Sequence, residues 1–196
     1  MGNNYIENEL LNGKMRSYGV EVLVRKNTGK LTGWISYTLS KSEQKTDGSD
    51  VGGPGINYGE WYAAGHDRRH DISITGIYKL SKKWSLSTNI VIQSGRPVTY
   101  PNGQYNYEGM SVASYSSRNA DNLPVYHRVD VGAIYTPNKN PNKKWKGEWN
   151  FGIYNVYNQK NASTITFGQN ANTGKNEATR TAIFGIIPSV TYNFKF

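Results

Sequence analysis

Bulky and polar residues alternate through the C-terminal stretch PSVTYNFKF. Ile186, Pro188, Val190, Tyr192, Phe194 and Phe196 fall on one parity, and Ser189, Thr191, Asn193 and Lys195 on the other. A period of two is the pattern of a β-strand with one apolar and one polar face. Six further segments carry it. Tyr18, Val20, Val22 and Val24 oppose Gly19, Glu21, Leu23 and Arg25; Leu31, Ile35, Tyr37 and Leu39 oppose Thr32, Ser36, Thr38 and Ser40. The same alternation sets Ile72, Ile74, Tyr78 and Leu80 against Asp71, Ser73, Thr75 and Lys79, and Trp84, Leu86, Ile90 and Ile92 against Ser85, Ser87, Asn89 and Gln93. Val125, Val129, Val131, Ala133 and Tyr135 then oppose Arg128, Asp130 and Gly132, while Trp145, Trp149, Phe151, Ile153 and Tyr157 oppose Lys146, Glu148, Asn150 and Gly152. The pattern predicts an all-β, antiparallel chain of about seven strands. Each is long enough to cross a bilayer as a tilted strand, which takes about 9–11 residues.

The connections sort into two classes in alternation. Short ones lie at 27–30, 81–83 and 136–144; long ones at about 41–66, 94–124 and 159–181. Short turns on one side and long loops on the other describe an outer-membrane barrel with periplasmic turns. A soluble sandwich has no reason to sort its loops this way.

Composition sharpens the picture. Only 36% of the 196 residues are hydrophobic, low for a large soluble core, yet 15 Tyr, 5 Trp and 5 Phe make the apolar surface aromatic. There is no apolar run of about 18 residues, which excludes a transmembrane helix but not a barrel, whose strands leave no such run. Trp84 and Trp145 each open a strand directly after a short turn, with Tyr78, Tyr135, Phe194 and Phe196 near that level; Tyr18, Tyr37 and Tyr157 occupy the opposite end. Two aromatic girdles are expected of a membrane barrel.

The formal charge of +9 raises the question of an anionic partner. Much of it gathers at the short turns: Arg25, Lys26 and Lys30; Lys79, Lys82 and Lys83; Lys139, Lys143, Lys144 and Lys146. Cations beside headgroups or solvent explain this placement, and the stacking aromatics that a nucleic-acid groove needs do not accompany them. No nucleic-acid partner is expected. The absence of cysteine removes disulfides and thiolate chemistry. The opening MGNNYIENELLNGK is polar and acidic where a secretory signal is basic and then apolar. Either a signal has been removed or the chain is not the whole gene product.

An odd strand count has a topological consequence. The last strand runs toward the short-turn side, so counting back places the chain's beginning in a long loop: residues 1–15 are expected to be the remnant of an extracellular loop and 16–196 the C-terminal portion of a barrel. Unpaired sheet edges in lipid cost several kcal/mol per backbone group. The sheet is therefore expected to be completed by strands from elsewhere.

The segments RSYGVEVLVRK, GWISYTLSKS, DRRHDISITGIYKLSKKWSLS, SGRPVTYP, PVYHRVDVGAIY and FGIYNVYNQKN, with the terminal IPSVTYNFKF, resemble in order and spacing the C-terminal third of the barrel of TonB-dependent outer-membrane receptors, especially those of Bacteroidetes. The resemblance covers nearly all of the chain from about Arg16. It implies part of a 22-stranded barrel closed by an N-terminal plug, in the outer membrane of a Gram-negative bacterium, importing a scarce ligand such as a metal chelate, vitamin or glycan with energy relayed by TonB. The implied partners are the remaining barrel strands and plug domain, TonB through the N-terminal part not present in this sequence, the barrel-assembly machinery and outer-membrane lipid. Val190, Tyr192, Phe194 and Phe196 match the terminal signal that machinery reads.

Several residue groups are candidates for function. On the polar parity, Glu21, Arg69, Asp71, Arg128, Asp130 and Glu148 read as a charged inner wall, in which Arg69 with Asp71 and Arg128 with Asp130 place opposite charges two residues apart; in the resembled family such groups contact the plug. Trp61, Tyr62, Tyr100, Tyr105, Tyr107 and Tyr115 sit in the long loops among Gly, Asn and Ser, where aromatics offer contact area for a ligand or pack the loops together. GHDRRHD invites a metal reading, but on an extended strand His66 and His70 would stand about 13 Å apart, too far to share a zinc whose ligands each approach to about 2 Å. No cofactor is expected, and no serine or threonine is marked by an adjacent base, so no enzymatic activity is expected. Two other readings stay open: a small self-contained outer-membrane barrel acting as an adhesin or structural protein, with NNYIENELL as its eighth strand, and a soluble carbohydrate-binding β-sandwich.

Overall fold

The period-two segments all become strands. The computed structural model describes residues 12–48, 53–115, 117–137, 145–170 and 172–195; Phe196, Lys139, Lys143, Lys144 and residues 1–11 lie outside them. In chain order the strands are β1 (Gly13–Lys26), β2 (Leu31–Thr46), β3 (Tyr62–Ala63), β4 (His70–Lys79), β5 (Trp84–Gln93), β6 (Pro97–Val98), β7 (Pro101–Tyr107), β8 (Met110–Tyr115), β9 (Asp121–Asn122), β10 (Tyr126–Tyr135), β11 (Lys146–Tyr154), β12 (Thr164–Gln169), β13 (Asn176–Thr181) and β14 (Ile187–Lys195). One antiparallel sheet follows the order β1-β2-β4-β5-β10-β11-β14, with β3 added beside β2.

Register aligns the two parities across the whole sheet. Leu31, Tyr78, Leu86, Ala133, Phe151 and Val190 form one continuous row, and Val24, Ile35, Ile74, Ile90 and Val129 another. The opposite face carries the row Glu21, Thr38, Asp71, Gln93 and Tyr126. A slip of one residue in any strand would turn its apolar set to the polar side. Trp34 and Leu23 depart from the pattern, standing on the polar parity and exposed.

Two glycines show how tightly the strands approach. Gly33, inside β2, has φ of 151°, and a Cβ there would run into the Thr75 carbonyl of β4. Tyr192 on β14 lies diagonally over Gly147 on β11, filling the space a side chain would need; an aromatic ring over a strand glycine restores packing that the missing side chain forfeits.

Among the described residues nothing packs against the apolar face. The buried apolar side chains among them are Tyr62, Ala64, Leu123 and Pro97, all at the long-connection end, while Val20 is 64% exposed, Ile35 50% and Phe151 40%. β1 pairs with β2 and β14 with β11, and among the described residues these two outer strands do not pair with each other, so the sheet is open.

The short and long connections leave opposite ends of the sheet. The long ones contain structure that alternation alone did not predict: the hairpins β7–β8 and β12–β13, the two-residue pair β6–β9, β3, and a 3-10 turn at Asn57–Gly59. Their strands are rich in Asn, Gly, Gln and Ser, so no apolar parity announces them.

Candidate functional site

Three regions carry side-chain chemistry: the rims of the apolar face, a charged cluster beside β2, and a cavity at the long-connection end of the polar face.

At the short-turn rim the rings form a contiguous belt. Trp84 meets Tyr135 with centroids 4.7 Å apart, Trp149 meets Tyr192 at 4.7 Å, and Trp145 stacks on Phe194 at 5.1 Å. Trp145 Nε1 also donates to the Tyr192 hydroxyl at 3.3 Å. The opposite rim holds two tyrosine–histidine pairs. Tyr37 stacks on His70 with its hydroxyl 2.9 Å from Nδ1, and Tyr157 stacks on His127 with its hydroxyl 2.8 Å from Nδ1. The histidines had no place in the sequence-derived girdle; their parity with Ile72 and Val129 was the available signal. Each pair has an apolar body and a polar tip, as residues at a boundary between apolar and aqueous surroundings do.

His66 falls in a turn before β4 and only His70 enters the strand, so the extended geometry expected of GHDRRHD does not hold there. Among the described residues no group of three or more His, Asp or Glu could hold a metal ion. Asp67 is buried instead, accepting the Ser42 amide at 2.6 Å and fastening the segment to β2.

Beyond the last apolar row, Glu43 is nearly enclosed. Its carboxylate takes Lys41 Nζ at 2.6 Å and Arg16 at 2.8 Å, and Arg16 lies over the Trp61 ring at 4.1 Å. The hydrogen bond from Lys41, with Arg16 adding to it against the penalty of burial, holds Glu43 below its ordinary pKa. Trp61 is thus engaged with Arg16, and Tyr62 is a buried member of β3, its hydroxyl 3.3 Å from Thr46 Oγ1. Neither presents an open stacking surface. Tyr100 packs edge-on against Phe167 at 5.0 Å. Tyr105, Tyr107 and Tyr115, on β7 and β8, are more than half exposed.

The charged inner wall is only partly as its spacing suggested. Arg128 and Asp130 do pair, at 2.9 Å, but Arg69 and Asp71 do not: Arg69 precedes the strand, and Asp71 accepts Gln93 Nε2 at 2.6 Å across the β4–β5 ladder. A spacing of two puts side chains on one face only where both residues are in the strand. Glu148 accepts from Asn150 at 3.3 Å, and Glu21 stands exposed near the β1 edge.

Arg128 is saturated. Besides Asp130 it donates to the Tyr126 hydroxyl at 2.9 Å and the Tyr154 hydroxyl at 2.7 Å, with its guanidinium over the Tyr154 ring at 4.1 Å. The other carboxylate oxygen of Asp130 accepts the Asn155 amide at 2.9 Å. Asn155, fully enclosed with φ of 54°, exchanges two hydrogen bonds with Gln159, and Asn161 exchanges two with His127. The asparagines of YNVYNQKN thereby peg the chain after β11 onto β10.

This pegging shapes a cavity of about 430 Å³ whose lining, among the described residues, includes Arg68, Arg96, Arg128, Tyr154, Leu123 and Phe184 and no carboxylate. Arg68 donates to the Ser94 carbonyl at 3.3 Å, and Arg96 to the Ser163 carbonyl at 2.9 Å. The Arg96 backbone is fixed by the β6–β9 pair and by the bond from the Leu123 amide to its carbonyl at 3.0 Å. Arg68 and Arg96 were not singled out from sequence. Nothing in their spacing marks them: they lie in separate long connections, one before β4 and one after β5, and the β4–β5 pairing brings those ends side by side.

No protein-family model, curated protein sequence or solved structure matches the chain. What the geometry defines is an all-β, antiparallel sheet whose one face is apolar and uncovered.

Proposed function

We propose that the chain is the C-terminal portion of an outer-membrane β-barrel of the TonB-dependent receptor type, part of a transporter for a scarce ligand. One observation carries the reading: a continuous apolar face, uncovered along its length, ends in aromatic residues at both rims. On β10, Tyr135 of one rim lies eight residues from His127 of the other, about 26 Å along the strand at roughly 3.3 Å per residue, or about 20 Å of height between Cα positions at a tilt of roughly 40°. An apolar band about 25 Å tall, flanked by aromatic girdles, is what a bilayer requires of a barrel wall. The sorting of short and long connections to opposite ends supports the same reading. Among the described residues the edges at β1 and β14 are open, and since lipid leaves an open edge unsatisfied this supports completion by further strands; NNYIENELL, the eighth strand of the small-barrel reading, lies outside the described residues. A soluble sandwich needs a second sheet over the apolar face, and the described residues supply none.

The test is an immunoblot of fully denatured outer membranes from the source organism, with an antibody against the β12–β14 region. A band in the outer-membrane fraction several times heavier than 22.0 kDa is the expected result, and function then belongs to the parent receptor. Recovery of the chain in buffer without detergent would overturn the proposal.

A further inference from the structure

The cavity between the end of the polar face and the long connections has a composition that selects a ligand. Among the described residues three guanidinium groups line it and no carboxylate does. Arg128 directs four of its five N–H donors to Asp130, Tyr126 and Tyr154, and Asp130 balances its charge. Among the described residues Arg68 and Arg96 each make one hydrogen bond, both to neutral backbone carbonyls. A guanidinium has five N–H donors in a planar fork, so each retains donors and an unneutralised charge. Opposite polarity enters from the rest of the wall: Leu123 is buried, and Ile183 and Phe184 bring apolar surface, Phe184 edge-on to Tyr154 at 6.4 Å.

We propose that this cavity binds a small organic anion, a carboxylate carried on an apolar body, with Arg68 and Arg96 holding the carboxylate and Leu123, Ile183 and Phe184 flanking the body. Paired guanidinium forks match the two oxygens of a carboxylate, and a cavity of this size lies within the range used for small molecules, mostly apolar with a few fixed polar groups. Arg128 and Tyr154 form the floor rather than the anion clamp, because Asp130 already neutralises Arg128 and the Tyr154 hydroxyl is held by it. The inference concerns binding alone and rests on this cavity, not on the membrane reading.

The experiment uses the intact native assembly that contains this chain, tagged by insertion at the exposed turn 172–174 and titrated calorimetrically with benzoate as probe. Benzamide serves as the neutral isostere and inorganic phosphate as the anion without a body. Saturable benzoate binding in the millimolar range or tighter is expected, with benzamide and phosphate each about tenfold weaker or more, and Arg68→Gln or Arg96→Gln lowering benzoate affinity about tenfold or more. Since these substitutions also alter the bonds to the Ser94 and Ser163 carbonyls that hold the loops, a second measurement uses unaltered protein. Benzoate, and not benzamide, should protect Arg68 and Arg96 from an arginine-directed dicarbonyl reagent, read by peptide mass. Equal binding of benzamide, phosphate as tight as benzoate, full affinity in the double variant, or no protection of either arginine would each overturn the proposal. Recovery of the protein in the outer membrane together with any of these results would leave the receptor reading standing and remove the ligand assignment.

Discussion

Val131 offers the sharpest test of what meets the apolar face. It stands on β10 four residues from His127 and four from Tyr135, about 13 Å along the strand from either rim. With the tilt of roughly 40° usual for barrel strands, that is about 10 Å of depth. In a bilayer, Val131→Arg therefore puts a guanidinium close to the midplane, at an expected cost of about 2–4 kcal/mol, or roughly 30- to 700-fold in the folded population. Leu80→Arg makes the same change just beyond the end of β4, at the short-turn rim, where the cost should fall to about 0–1 kcal/mol. Val131→Ala separates packing from charge: the side chain is 36% exposed, so truncation should cost about 0.5–1 kcal/mol. The assay is equilibrium urea unfolding of the native assembly in phospholipid bilayers. Were the face in water, both arginine variants would lie within about 0.5 kcal/mol of the parent. A flat response to depth would refute the membrane reading.

Two further outcomes follow from local geometry. Because Lys41 and Arg16 depress the Glu43 pKa on folding, the unfolded chain binds the extra proton, and the stabilisation is complete above the ordinary carboxylate range and lost as pH falls through the folded value; thermal unfolding should show an acid-dependent decline that Glu43→Gln flattens while costing about 1–2 kcal/mol at neutral pH, and an unchanged acid limb would refute this. Gly95→Ala would drive a methyl group into the Leu123 carbonyl, so limited proteolysis should cut 94–125 faster in the variant and leave the main sheet intact, whereas an unchanged cleavage rate would mean the loop gives way without cost.

What the sequence made legible divides along a physical line. All the strands of the main path follow from alternation, because an exposed apolar face and a polar face impose period two on every residue between them. β7, β8, β12 and β13 escaped it: both faces of these hairpins are polar or solvent-exposed, and nothing constrains parity there. The Arg128–Asp130 pair was readable because both residues are in one strand. The Glu43 cluster and the arginine cavity were not, since Arg16 and Glu43 meet through the β1–β2 register, and the cavity gathers Arg68, Arg96 and Phe184 from three separate long connections. Tyr62 looked like a loop aromatic because β3 is two residues long, too short for any periodicity to show, while Trp61 does lie in the connection just before it.

Stability in this chain cannot come from an interior. With Tyr62, Ala64, Leu123 and Pro97 the buried apolar side chains among the described residues, burial within the chain offsets little of the backbone ordering cost of about 1–2 kcal/mol per residue. The remainder must come from whatever covers the apolar face and pairs the open edges. β14 is placed for that: Val190, Tyr192 and Phe194 stay on the uncovered face, tied to Trp149 and Trp145 of the neighbouring β11 segment, while among the described residues no strand pairs along its far edge. On the proposed reading, side-chain contact with lipid and backbone pairing with the next strand use different surfaces of the same residues. A terminal strand recognised by alternate aromatics can therefore be docked on β11 and still accept a partner along its open edge.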